Sequence, residues 1–212
     1  VASLSFLRSD FNDATENQRA EVRATAGMPV YGVEMRIMDT ETGLEQPWDD
    51  KARGELEVRG PWVTRQYYRT ESPGDRFSAD GWLRTGDVAC VSPLGYIRLV
   101  DRTKDLVKSG GEWISSVELE NQVMSHPKVA EAAIIAVPHA QWMERPLACV
   151  VVRPGEQLTR QEVLDYLGAR LPTWQLPDDV VFLDEIPKTS VGKFSKMTLR
   201  DQFADYRLPT QR

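Results

Sequence analysis

The sequence has only two cysteines, two histidines and no apolar run near the roughly 20 residues that cross a bilayer. Each scarcity excludes something. Cys90 and Cys149 sit in separate apolar, strand-like stretches, the pattern of two buried free thiols in a reducing cytoplasm and not of a disulfide framework. With two widely separated histidines, no zinc-site spacing can be written anywhere. The P-loop spacing Gly-x4-Gly-Lys-Ser/Thr is missing too. No basic start leads into an apolar stretch, so no secretory signal opens the chain, and Val1 in place of an initiator Met reads as a start inside a longer protein. Net positive charge is also lacking. The formal charge of −6 argues against nucleic acid as a partner and leaves membrane contact at most peripheral.

What is present is 212 residues, 41% hydrophobic and 27% charged, enough for one large soluble domain or two small ones. Residues 1–20 are polar without a clear period. From Gly32 a strand pattern begins: Val33, Met35 and Ile37 alternate with polar neighbours, and Thr42-Gly43 marks a turn. Gly54–Arg59 alternates again, Leu56 and Val58 against Glu55, Glu57 and Arg59, until Gly60-Pro61 stops it. Val88–Val91 and Tyr96–Val100 flank Ser92-Pro93-Leu94-Gly95 as a hairpin.

Beyond Asp101 the texture changes. Ser115 with Glu118, and Thr159 with Glu162, are capping boxes with apolar residues placed to staple them, and each predicts a helix start. Val163, Leu167 and Leu171 recur at helical spacing before Pro172. Ala132–Val137, Leu147–Val152 and Val180–Leu183 suit buried strands. The fold class is therefore α+β: a small β-rich, β-barrel-like subdomain over 1–101, then a compact α+β domain with a small sheet and flanking helices over 102–212. The charged segment Asp101–Asp105 carries the boundary.

Three segments carry chemistry. In Trp82-Leu83-Arg84-Thr85-Gly86-Asp87, a carboxylate beside a glycine at a strand start can accept both hydrogen bonds of a ribose diol, although Thr-Gly-Asp also occurs in ordinary turns. The run from Asp101 to Ser115 is dense in charge and then holds Gly110-Gly111; Arg102 can hold a phosphate or ribose oxygen through its planar fork. The glycine pair permits positive φ or close approach of backbone to a ligand, and the plain alternative is a solvated charge run with a hairpin turn. The third segment, Ile186–Lys193, sets Lys193 after Gly192 on a loop, where a mobile ammonium can meet developing negative charge or simply be solvated.

Taken in this order and spacing, the three segments resemble the adenylate-forming superfamily of acyl-CoA synthetases, luciferases and peptide-synthetase adenylation domains, from about Ala26 to about Tyr206. Within it the chain looks most like medium- and long-chain fatty acid–CoA ligases, on the strings Lys108–Ser116, Glu118–Asn121, Trp142-Met143-Glu144-Arg145-Pro146 and Trp174-Gln175-Leu176-Pro177. The resemblance implies that Asp87 takes the ribose hydroxyls of ATP, that Arg102 sits at ribose and phosphates, and that Lys193 contacts the substrate carboxylate and the α-phosphate. Lys104 falls at the family's hinge position, where the C-terminal domain rotates between half-reactions, withdrawing Lys193 and presenting the Gly110-Gly111-Glu112 loop to the CoA thiol. Trp113 and Trp142 lie near the nucleotide or CoA side but read as packing.

ATP, CoA and a fatty acid are the implied substrates, with Mg²⁺ held mainly outside this chain and no metal ligand expected within it. The family's phosphate loop, its aromatic-Gly-x-Thr-Glu motif and the acyl pocket are not in the sequence. The chain is thus expected to need a missing N-terminal domain and to be inactive alone, and a homodimer is compatible with it. Two other readings remain open: an acyl-AMP ligase that loads a carrier protein, and a non-catalytic binding module that keeps the motifs as relics.

Overall fold

The computed structural model describes residues 2–69 and 74–209, which divide into two compact units, Val1–Lys104 and Asp105–Arg212. The first unit contains β1 (Ser3–Leu4), α1 (Glu16–Arg23), β2 (Met28–Pro29), β3 (Glu34–Met38), β4 (Gly54–Arg59), β5 (Leu83–Val91) and β6 (Ile97–Arg102). Strands β3 to β6 follow one another as an antiparallel sheet, and β1 pairs with β2 apart from it. Alternation puts Met35, Ile37, Leu56, Val58, Ala89, Val91 and Ile97 on one face as a single apolar cluster. The pairings among the described residues do not close this sheet into the expected barrel-like form: β3 and β6 end the strand order, with one isolated bridge, Gly27↔Ile97, on the outer edge of β6.

The other face is charged, and in β4 part of it is buried. Glu57 is 2% exposed. Its carboxylate accepts from Arg36 at 2.7 Å and Arg84 at 3.3 Å, while Asp80 takes Arg36 through two further bonds of 2.8 and 3.0 Å. Arg36 and Arg59 lie over the Trp82 ring at 4.5 and 4.4 Å. The ring thus lies against Arg36, one of the two partners of the buried carboxylate, and adds a cation–π contact to the pair. Helix α1, where no period was legible, starts from a capping box between Thr15 and Gln18.

The second unit contains β7 (Val107–Ser109), β8 (Glu112–Ile114), α2 (Ser116–Met124), β9 (Val129–His139), β10 (Met143–Val152), α3 (Arg160–Gly168), β11 (Asp179–Phe182) and α4 (Lys196–Gln202). Strand β10 is the axis of the sheet. It pairs antiparallel with β9 along its length, parallel with β11 over Leu147–Val150, and with β7 at Met143↔Ser109. Successive residues of β9 and β10 enter opposite cores: Ala132, Ile134, Ala148 and Val150 pack with α2 and α3, whereas Ala133, Ile135, Leu147 and Cys149 pack with Leu199 of α4. A strand buried on both faces reads as a continuous apolar run, as these do.

Ser115 caps α2 by accepting from the Glu118 N–H at 3.2 Å, and Ile114 and Leu119 are buried in the same core. Thr159 and Glu162 form the complete box on α3. That helix ends at Gly168, earlier than Pro172, which instead opens a single 3-10 turn at Thr173–Gln175. The unexpected α4 is capped by Ser195, which accepts from the Thr198 N–H. Among the described residues no helix is long and apolar enough to cross a membrane.

Candidate functional site

In the first unit the site is built on a defect in the sheet. Between the pairs Glu55↔Val88 and Glu57↔Arg84 the chain advances two residues on β4 but four on β5, so Thr85, Gly86 and Asp87 bulge opposite Leu56. Three hydrogen bonds fix the bulge. The Thr85 hydroxyl donates to the Leu56 carbonyl (2.8 Å) and accepts from the Asp87 N–H (3.1 Å), and the Gly86 N–H donates to Glu55 Oε1 (3.2 Å). Gly86 has φ +74, a left-handed conformation that disfavours a side chain. Burial pushes the Glu55 carboxyl up, against the lowering effect of the Gly86 N–H.

A second irregularity decides what faces Asp87. Uninterrupted pairing from Ala89↔Leu99 would set Asp87 opposite Asp101; a one-residue shift on β6 sets it opposite Arg102 instead. The Arg102 Nε lies 3.1 Å from Asp87 Oδ1, with both side chains reaching solvent. Asp101, 7% exposed, turns back to accept its neighbour Arg102's N–H at 2.7 Å. The Thr103 N–H then donates to the Gly86 carbonyl at 3.0 Å, so the bulge is tied to the residue just before Lys104. Lys104 itself is exposed in the turn over residues 103–105 that ends the unit.

In the second unit Gly110 and Gly111, at φ +61 and +88, make the two-residue turn between β7 and β8. Here the hairpin alternative was correct about shape. Gly110 is required twice, by its positive φ and because a Cβ there would sit 2.8 Å from the Trp142 ring; its N–H donates to the Trp142 carbonyl at 3.0 Å. Gly110 and Glu112 line a pocket of about 380 Å³ together with His139, Trp142, Arg145 and Trp174. The His139 Nδ1 accepts the N–H groups of Gln141 (3.1 Å) and Trp142 (3.2 Å), which fixes the turn carrying that indole. Trp142 and Trp174 remain 43% and 44% exposed, so each offers a ring face to the pocket region, whereas Trp113 lies on β8 and does not line it.

Lys193 sits on a tight loop closed by the Lys188↔Phe194 bridge. The Thr189 N–H donates to the Lys193 carbonyl (2.7 Å), the Gly192 N–H to the Thr189 carbonyl (2.9 Å), and Gly192 has φ +81. The loop backbone is held while the Lys193 side chain projects into solvent, and it is not among the residues lining the pocket. Asp87 and Arg102 are thus brought together, as are Gly110, Gly111 and Glu112. Sequence reasoning missed Glu55, His139 and Arg145. Only Arg145 carried a signal, as part of the Trp142–Pro146 string. No group of three or more His, Cys, Asp or Glu side chains among the described residues is arranged to hold a metal ion.

Comparison with known proteins shows the family. The profile of the AMP-binding enzyme family matches residues 2–68, and that of the AMP-binding enzyme C-terminal domain matches residues 118–193. The chain belongs to this family, the adenylate-forming superfamily, and includes its C-terminal domain. It is 48% identical over 97% of its length to a long-chain-fatty-acid–CoA ligase of Thermus thermophilus and 45% identical over 89% to a 3-methylmercaptopropionyl-CoA ligase of Ruegeria lacuscaerulensis. It spans 38% and 34% of those two proteins. Among solved structures it resembles ATP-bound MatB from Rhodopseudomonas palustris, with a TM-score of 0.77, 35% identity, and coverage of 85% of this chain and 36% of that one.

Proposed function

We propose that this chain supplies part of the nucleotide site and the C-terminal domain of an ATP-dependent fatty acid–CoA ligase. The observation that carries the reading is the Asp87–Arg102 pair, set side by side by two strand irregularities in a chain of this family. A carboxylate accepts the two ribose hydroxyls, and the neighbouring guanidinium serves the phosphates. In the first half-reaction a carboxylate oxygen of the acid attacks the α-phosphorus, the bond to pyrophosphate breaks, and acyl-AMP forms. Lys193 places its ammonium against the charge that develops on the α-phosphate.

In the second half-reaction the CoA sulfur attacks the acyl carbon and AMP leaves. The Gly110-Gly111-Glu112 turn and the adjoining pocket serve this step, with Trp142 and Trp174 offering stacking surfaces to the CoA side. Lys104 is the hinge, consistent with the division of the units at Lys104 and Asp105. Among the described residues no group of three or more His, Cys, Asp or Glu fits a Mg²⁺ site, so no step here runs through the ion. A fatty acid as substrate is supported by the Thermus relative; the Ruegeria relative bears the name of a different acid, so the acyl pocket is assigned to the part of the protein outside this chain.

The test is an assay of the whole enzyme with ATP, Mg²⁺, CoA and fatty acids of graded length. Acyl-CoA formation is expected, with the KM for ATP raised about tenfold or more in Asp87→Ala. Acyl-AMP without acyl-CoA would move the acceptor from CoA to a carrier protein, and no adenylation of any acid would end the reading. The isolated 212-residue chain is expected to make no acyl-CoA, and multiple turnovers by it would contradict the proposal.

A further inference from the structure

Three strings that stand out in the sequence, Lys108–Ser116, Trp142–Pro146 and Trp174–Pro177, are far apart along the chain, and one side chain holds them together. Arg145 is only 11% exposed at its side chain. Its Nε donates to Asp178 Oδ1 at 2.5 Å, its Nη1 to Ser109 Oγ at 2.9 Å and to the Trp174 carbonyl at 2.8 Å, and its Nη2 to the Leu176 carbonyl at 2.9 Å. Ser109, Trp174 and Asp178 all line the pocket beside the Gly110 turn. An arginine in a binding pocket first suggests an anion ligand, but this one has committed four of its five N–H groups and has a carboxylate against it. A phosphate arriving there would find one donor left and the Asp178 charge beside it. The arrangement is that of a tie, and it exploits the fixed planar fork that only arginine has.

We propose that Arg145 is a positioning residue for thioester formation: it sets the spacing between the Ser109–Gly110 corner and the Trp174 turn, and with it the width of the pocket that receives the CoA side. The inference rests on the CoA-ligase reading. A lysine at 145 would present a single nitrogen and could not bridge the hydroxyl, the two carbonyls and the carboxylate in one plane. Ser109 is the smaller half of the tie, because losing its hydroxyl removes the link to the hairpin alone.

The experiment uses the whole enzyme as wild type, Arg145→Lys and Ser109→Ala, and reads the KM for CoA beside ATP–pyrophosphate exchange without CoA. Arg145→Lys is expected to raise the KM for CoA about tenfold or more, since misplacement by an ångström is that costly. Ser109→Ala should move it less in the same direction, and exchange should stay close to wild type in both. The exchange reaction also reports folding, because Lys193 belongs to the same unit as Arg145. An unchanged KM for CoA in Arg145→Lys would overturn the proposal. So would a proportional loss of both half-reactions in that variant together with a wild-type Ser109→Ala. A wild-type enzyme that adenylates but makes no thioester would remove the CoA reading itself, a result visible before any variant is made.

Discussion

The two units bury their sheets in different ways. In the second, β9 and β10 are covered on both faces, and the alternate residues Ile134 and Ile135 enter separate cores at 0% and 1% exposure. In the first, one face is apolar and the other is an ionic layer of Arg36, Glu57, Arg84 and Asp80 with Trp82 across it. The contrast teaches where each unit keeps its polar chemistry. The first builds charge into the sheet next to the strand bulge that holds Asp87. The second packs apolar residues on both faces of β9 and β10 and sets most of its candidate site residues on turns, the Gly110 hairpin, the His139–Trp142 turn and the Lys193 loop, with Arg145 on strand β10.

This division of labour can be broken most sharply at Lys193. In the whole enzyme Lys193→Ala should slow acyl-AMP formation by about 10²–10³, near 3–4 kcal/mol, the usual cost of one preorganised contact to developing charge. Thioester formation from supplied acyl-AMP should remain near wild type. Equal loss in both steps would show that the loop does not serve one half-reaction.

Next come the two ways of filling a sheet. Glu57→Ala takes away one of the two carboxylates that hold Arg36, leaving Asp80, and should cost about 1–3 kcal/mol through the lost charged hydrogen bonds. Leu147→Ala, at a position with 0% exposure, should cost about 2–5 kcal/mol through lost burial and a residual cavity. Urea unfolding followed separately for each unit is the measurement. Glu57→Ala destabilising only the second unit, or Leu147→Ala only the first, would contradict the two-core account.

A smaller effect is the acid response of α3. The backbone N–H of Thr159, then Lys128 and the Thr159 hydroxyl, lower the Glu162 carboxyl to about 2. A depressed value means that its contribution is fully present above the ordinary carboxylate range and is lost as pH falls through about 2. Amide exchange at the start of α3 should therefore stay slow at pH 4 in wild type and quicken in Glu162→Ala. Equal protection in the two would remove the cap from the account.

The smallest contrast is between the thiols. Burial pushes Cys149 up to about 12, and burial together with Asp50 raises Cys90. A raised thiol favours the fold below the unfolded value of 9.0, and for Cys149 that contribution fades as pH rises through about 12. At pH 8 a thiol reagent should reach 4%-exposed Cys90 before 0%-exposed Cys149, whose labelling should wait for unfolding of its unit. Rapid native labelling of Cys149 would mean that the second core opens locally.

Much of this fold is legible in the sequence wherever local pattern and burial agree. Strands β3, β4, β9, β10 and β11 carry their periods openly, and Ser115 and Thr159 announce α2 and α3. Helix α1 is exposed along its length with no buried residue, so no apolar stripe reveals it, and α4 buries only Leu199. Nothing in the alternation of β4 marks Glu57 as buried, because its partners Arg36 and Arg84 come from the neighbouring strands β3 and β5. The Asp87–Arg102 pairing depends on a one-residue shift in β6 that no residue type dictates. Arg145 was hidden for a related reason: its partners meet only once β7, β10 and the Trp174 turn have assembled, whereas His139 has local partners, Gln141 and Trp142, that no residue type announces.

The most direct measurement of the central claim is a single turnover of the whole enzyme carrying Lys104→Pro, with ATP, Mg²⁺, fatty acid and CoA all present. Proline fixes φ at the residue where the two units divide and so blocks rotation there. The account predicts that acyl-AMP forms at near the wild-type rate and then accumulates without conversion to acyl-CoA. Normal thioester formation by this variant, or loss of adenylation with it, would contradict the assignment of the two half-reactions to two arrangements about Lys104.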